Sequence, residues 1–257
     1  MAKPMAPSTI LIVGASRGLG LGLAREYLAR GWQVIGTVRS GATPLHALAA
    51  EQPGRLEIET VDIDRPEQVA ALRRRLDGRR IDLLFVNAGV LNDRTTTIGE
   101  VSTEAFTRLM VTNALSPMRV VEAFAGLVPA GGTIAAMSSG LGSVANNQSG
   151  GCEIYRASKA ALNTLMRSFA TRQRLARNLF VVAPGWVRTE MAERSAGAEA
   201  KRRNVTTEQV WEERAAIYPE HRVLTPREVA ETIAFLCSDA ASGINGEAVT
   251  VALGGIW

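Results

Sequence analysis

Short apolar runs of strand length alternate with helical segments along almost the whole chain, and this alternation sharply limits the folds open to it. Thr9–Val13, Gln33–Val38, Leu56–Val61, Asp82–Val86, Thr133–Met137, Leu179–Val182 and Ala248–Val251 read as strands. Helical patterning covers about Leu19–Arg30, Glu67–Leu76, Thr103–Leu127 with Pro117 inside it, Tyr155–Arg174 and Pro226–Cys237. Strands that are apolar throughout bury both faces, which implies a mostly parallel, seven-stranded sheet with helices on either side. Each strand–helix–strand unit then crosses over right-handed. A chain of 257 residues is long enough for one large core, and no repeat or low-complexity linker divides it. The expectation is a single α/β domain over residues 1–257. Glu190–Arg222 is polar and charged and breaks the alternation, so it is the candidate for a mobile flap over a substrate.

Composition narrows the function classes. With 46% hydrophobic residues the chain reads as a soluble globular protein. No apolar run approaches the ~18 residues of a membrane span. The start, MAKPMAPSTILIVG, lacks a signal peptide's apolar centre, which predicts a cytoplasmic protein. Two cysteines are too few for a disulfide framework, and two histidines make a metal site unexpected. The net charge of +4 is mild. Arg73-Arg74-Arg75 and Arg79-Arg80 read as solvated surface, not as a nucleic-acid site.

The first strand runs into Gly14-Ala15-Ser16-Arg17-Gly18-Leu19-Gly20, where a helix begins. Glycines permit a tight turn and bring backbone N–H groups close to a pyrophosphate, which sits on the positive end of the helix. The spacing is G-x-x-x-G-x-G, and its place outside the carboxyl end of a strand makes it a dinucleotide signal. An NAD site of this Rossmann type carries an acid at the end of the second strand to bind the ribose 2′-hydroxyl. Here that strand ends Thr37-Val38-Arg39-Ser40. Arg39, with Arg17 in the turn, offers guanidinium groups to a 2′-phosphate and favours NADP(H). The competing account makes both ordinary surface arginines.

Tyr155-Arg156-Ala157-Ser158-Lys159 joins two residue types that are scarce here. The chain has three tyrosines, and three of its 29 basic side chains are lysine. Spaced i, i+4 on a helix, the phenol and the ammonium share a face. A neighbouring cation favours the ionised phenol, which suits acid–base chemistry. The plainer alternative is an amphipathic pair on a solvated face.

In order along the chain, these motifs resemble the short-chain dehydrogenase/reductase family of NADP type, over nearly the whole length. The glycine turn is one. Asp62-Ile63 resembles the adenine-contacting position, and Asn87-Ala88-Gly89 the sequence beside the cofactor. Asn113 matches an asparagine that holds a catalytic water, and Ser139 of Ser138-Ser139 the catalytic serine. Tyr155 and Lys159 match Y-x-x-x-K, while Pro184-Gly185-Trp186-Val187-Arg188-Thr189 resembles the stretch at the nicotinamide end. Two departures stand out. Val13 replaces a frequent threonine, and the interval from Ser139 to Tyr155 is long, with the excess in Gly142–Gly151. A similar insertion belongs to a carbonyl-reductase branch resembling the C-factor and sniffer proteins, whereas Thr225–Gly255 resembles the 3-oxoacyl-carrier-protein reductases.

The resemblance implies hydride transfer between nicotinamide and a carbonyl or alcohol carbon of a small molecule. Tyr155 would be the acid or base, Ser139 would stabilise the substrate oxygen, and Lys159 would lower the phenol's pKa and bind the ribose. Asn113 would anchor a water for proton resupply. Pro184, Gly185, Val187 and Thr189 would join the cofactor contacts, and the protein would be a homotetramer or dimer. Two alternatives remain open: reduction of a 3-oxoacyl thioester on a carrier protein, with Arg172, Arg174 and Arg177 facing the acidic partner, and a non-catalytic NADP(H)-sensing module.

Overall fold

The apolar runs assemble into a single sheet whose order places a crevice at the glycine turn. The computed structural model describes residues 7–92, 94–148, 150–173 and 178–255. The strands are β1 (Thr9–Val13), β2 (Gln33–Val38), β3 (Leu56–Thr60), β4 (Leu83–Val86), β5 (Thr133–Met137), β6 (Asn178–Pro184) and β7 (Ala248–Val251). They lie in the order β3-β2-β1-β4-β5-β6-β7, and every pairing is parallel. The sheet is thus wholly parallel, beyond the mostly parallel expectation. After β3 the chain returns to the far side of β1 to lay down β4. The connections leaving β1 and β4 diverge, so a crevice opens at their carboxyl ends, where this architecture binds ligands.

Nine helices of the described residues cover the sheet: α1 (Gly18–Ala29), α2 (Pro44–Glu51), α3 (Pro66–Arg75), α4 (Thr103–Met110), α5 (Ser116–Phe124), α6 (Glu153–Gln173), α7 (Glu190–Arg203), α8 (Thr207–Ala216) and α9 (Pro226–Leu236). The expected end of the sixth at Arg174 lies outside the described residues, as does Arg177. Because side chains alternate along a strand, Leu11 and Val13 enter one core with Val121, Phe124, Leu162 and Phe169. Ile10 and Ile12 enter the other with Leu23, Tyr27, Val229 and Ile233. Burying each such side chain contributes on the order of 1.5–3 kcal/mol.

Three features depart from the sequence reading. Thr43 and Pro44 start α2, a short helix with a capping box between Thr43 and His46. The segment Glu190–Arg222, read as breaking the alternation, forms the helix pair α7 and α8. Its polar composition hides an alanine stripe, Ala192, Ala196 and Ala200, that packs on Val210 and Trp211. Asn204 ends α7 in the left-handed region at φ 54, and Thr206 caps α8. Third, the long helix over 103–127 contains a π turn at Val111–Leu115. Pro117 has no N–H for the Asn113 carbonyl four residues back, and there the helix widens, with Ser116 N bonded to Val111 O.

Candidate active site

The glycine turn holds its shape by close approach. Gly14 has φ 94, and a Cβ on it would stand 2.8 Å from Ala88 N. A Cβ on Gly20 would fall 2.1 Å from Gly14 O, so only glycine lets α1 begin directly beneath the turn. Asn87 Nδ2 donates to Gly14 O at 2.7 Å, and Gly14 N donates to Thr37 Oγ1 at 3.0 Å. The first turn of α1 carries no acidic residue, which leaves its positive end open to an anion.

At the far end of the crevice, β5 and α6 converge. Lys159 is buried, and Nζ donates to Met137 O at 2.9 Å. It stands 5.8 Å from the Tyr155 ring centroid. Of the two serines after β5, Ser138 is committed to Asn163, donating to Oδ1 at 2.6 Å. Ser139 is the one whose hydroxyl faces the Tyr155 phenol closely enough to hold its pKa down, and its Oγ accepts from Leu141 N at 3.2 Å. Asn113 is fully buried in the π turn. Its Oδ1 accepts from Val90 N at 2.8 Å, and its Nδ2 donates to Val90 O at 2.8 Å and Ser158 Oγ at 3.1 Å. Every polar atom of the side-chain amide is thus engaged within the protein. Gly89 fits between them: a Cβ there would meet Asn113 Oδ1 at 3.3 Å and Lys159 Nζ at 3.4 Å.

Burial dominates the electrostatics. It pushes Tyr155 up to about 12, against the pull of the Ser139 hydrogen bond, and brings Lys159 down from 10.5 to about 8. The phenol therefore lies above its ordinary value, and the lowering expected from Lys159 is not the dominant effect. Desolvation is the leading cause of both shifts, because burial disfavours the charged form of phenol and ammonium alike.

These groups share one cavity of about 580 Å³. Gly14, Ser16, Arg17, Gly18, Leu19, Arg39, Asp62, Ile63, Asn87, Ala88 and Gly89 line it at the turn end. Ser139, Tyr155, Lys159, Pro184, Gly185, Val187 and Thr189 line it at the other. Gly20 and Asn113 stand behind the wall, one as packing and one as support. Arg39 is exposed and makes no ion pair or hydrogen bond among the described residues, whereas Arg17 is paired with Glu190 at 3.2 Å. The sequence reading missed Asp64 on the wall. Its Oδ2 accepts from Thr112 Oγ1 at 2.6 Å, while its buried Oδ1 has no partner. Only the fold brings Asp64 and Thr112 together. It also missed Arg94. Cradle, open helix end and unpaired Arg39 fit a phosphorylated dinucleotide.

The protein-family model described as enoyl-(acyl carrier protein) reductase matches residues 14–255. The chain belongs to the short-chain dehydrogenase/reductase family. It is similar to a crystallised member of that family from Burkholderia multivorans with bound NADP, at 49% identity and a TM-score of 0.80 over 97% of this chain and 98% of that one. A carbonyl reductase from Pseudomonas aeruginosa is 35% identical, with a TM-score of 0.76 over 96% of each chain. The 3-oxoacyl-[acyl-carrier-protein] reductase FabG of Escherichia coli is 30% identical over 94% of each chain.

Proposed function

We propose that this protein is an NADP(H)-dependent oxidoreductase that interconverts a carbonyl and an alcohol on a small molecule. The observation that carries the reading is the meeting of Ser139, Tyr155 and Lys159 on the same cavity as the glycine cradle. NADP(H) is the cofactor: the cradle takes its pyrophosphate, Arg39 takes its 2′-phosphate, and the Burkholderia relative binds NADP. Bound there, the nicotinamide supplies or accepts the hydride.

The chain's own residues handle the proton and the charge. In reduction, Tyr155 donates its phenolic proton to the substrate oxygen, and Ser139 hydrogen-bonds the same oxygen as charge develops on it. Lys159, held by Met137 O, keeps an ammonium beside the phenol and favours the phenolate left behind. Asn113 acts as a positioning residue by clamping Val90 over the site. The pair α7–α8 closes the substrate side, over 190–222. We place the enzyme in the cytoplasm, as a dimer or tetramer through its long helices, where Phe106, Leu115 and Leu165 are exposed.

NADPH absorbance followed against a panel of small ketones and aldehydes tests this reading. Turnover of a free carbonyl compound supports it. NADPH binding without turnover of any substrate would leave a sensing module. The likeness to FabG favours a second reading, in which a carrier protein presents a 3-oxoacyl thioester. Turnover of a carrier-bound 3-oxoacyl group far above its free analogue would select that one.

A further inference from the structure

The loop after β4 sets a guanidinium on the cavity wall beside the reacting end. Arg94 O accepts from Cys152 N at 2.9 Å, three residues before Tyr155. The Arg94 guanidinium lies over the Trp186 ring, 4.5 Å from its centroid. Trp186 sits between Gly185 and Val187, and all three line the cavity. Arg94 is therefore bracketed by the start of the Tyr155 helix and the segment after β6.

Its hydrogen-bonding capacity is mostly unspent. Nε donates to Cys152 Sγ at 3.2 Å, a weak acceptor. One terminal nitrogen forms an ion pair with Glu199 at 3.6 Å, beyond hydrogen-bond reach. The terminal N–H groups make no hydrogen bond among the described residues. The side chain is 29% exposed and also lines an adjoining pocket of about 350 Å³, whose wall carries Arg17 and Arg194 and, among the described residues, a single carboxylate, Glu199.

Glu199 does not neutralise this group. It is shared with Arg203 at 3.2 Å and with Arg214 at 2.9 Å. Arg214 is buried, lies 3.9 Å from the centroid of the same Trp186 ring, and leaves its Nε without an acceptor. A neutral molecule filling this corner would desolvate the Arg94 fork and return nothing for it. A carboxylate or phosphate would accept parallel, charge-assisted hydrogen bonds from that fork.

We infer that the substrate carries an anionic group, a carboxylate or a phosphate ester, that Arg94 binds while the carbonyl faces Tyr155. This rests on the carbonyl-oxidoreductase reading. Arg94 thereby sets specificity for charged carbonyl compounds over neutral ones of the same shape.

The test compares keto acids with their methyl esters, and phosphorylated hydroxyketones with their unphosphorylated parents, on the wild-type enzyme with NADPH. The wild type prefers the anionic member of one series by about 10- to 100-fold in kcat/KM, the range for hydrogen bonds to charged groups. The series that shows it separates carboxylate from phosphate. In Arg94→Gln that ratio falls to within about twofold, mainly through KM, and Arg94→Lys keeps part of it. Equal handling of both members by the wild type overturns the inference, as does an Arg94→Gln variant that weakens both members alike. If no carbonyl compound consumes NADPH, the carbonyl reading fails instead. Calorimetric titration of the same anions into the NADP-loaded protein then decides: binding lost in Arg94→Gln supports the subsite, and no binding to the wild type removes it.

Discussion

At the scale of the residue, the proposed chemistry depends on an ammonium buried beside the phenol. Lys159 is depressed to about 8 and Tyr155 raised to about 12. The phenol therefore keeps its proton through the neutral range, and lysine is the group that changes charge first. Reductive kcat/KM should fall as pH rises through about 8, when the supporting ammonium is lost; a profile flat to about pH 10 would remove Lys159 from that role. The stability sign follows from the same depression. Between about 8 and the ordinary 10.5, the unfolded chain holds a proton that the folded one has released, so stability rises with pH across that window. Below it the buried charge is a standing cost. Lys159→Met should thus raise Tm by a few degrees while turnover collapses, for a gain of about 1 kcal/mol. A lowered Tm would show that the bond to Met137 O outweighs the desolvation. At the other end of the cavity, Arg39→Asp should cut the preference for NADP over NAD at least tenfold in Kd, the scale of a lost charge-assisted bond. An unchanged ratio would place the 2′-phosphate elsewhere.

Elements show how far a sequence can be read. β1, β2 and β5 begin and end where their apolar runs do, because a strand buried on both faces writes itself as uninterrupted hydrophobicity. The glycine turn was legible for a similar reason: Gly14 and Gly20 meet backbone within 3 Å of where a Cβ would stand, and no other residue type suits those places. The α7–α8 pair was not legible as structure, since its packing uses alanines and one tryptophan inside charged sequence. The π turn left only Pro117 as a hint. Asn113 could be named by resemblance, but its clamp on Val90 is a long-range pairing that no local pattern records. Asn113→Ala would break three hydrogen bonds and strip the half-buried Val90 N–H and C=O of their partner. A loss of about 2–4 kcal/mol in urea unfolding, with a lower kcat, is expected. Full stability in that variant would deny the clamp. Gly20→Ala should abolish dinucleotide binding by titration, since its methyl would occupy the space of Gly14 O.

Across the whole molecule, two cores on opposite faces of one sheet fix the crevice between diverging connections. That architecture makes ligand and fold stability interdependent. A cofactor bound only by the folded chain, at 100 times its Kd, should add about 2.7 kcal/mol. NADP should therefore raise Tm more than NAD at equal concentration, and equal shifts would contradict the 2′-phosphate contact. The most direct test of the account is a single-turnover measurement on Tyr155→Phe with saturating NADPH and a turned-over carbonyl substrate. Hydride transfer should slow by at least a thousandfold while NADPH affinity stays within a few-fold of wild type. Transfer at the wild-type rate would contradict the assignment of the proton to this phenol.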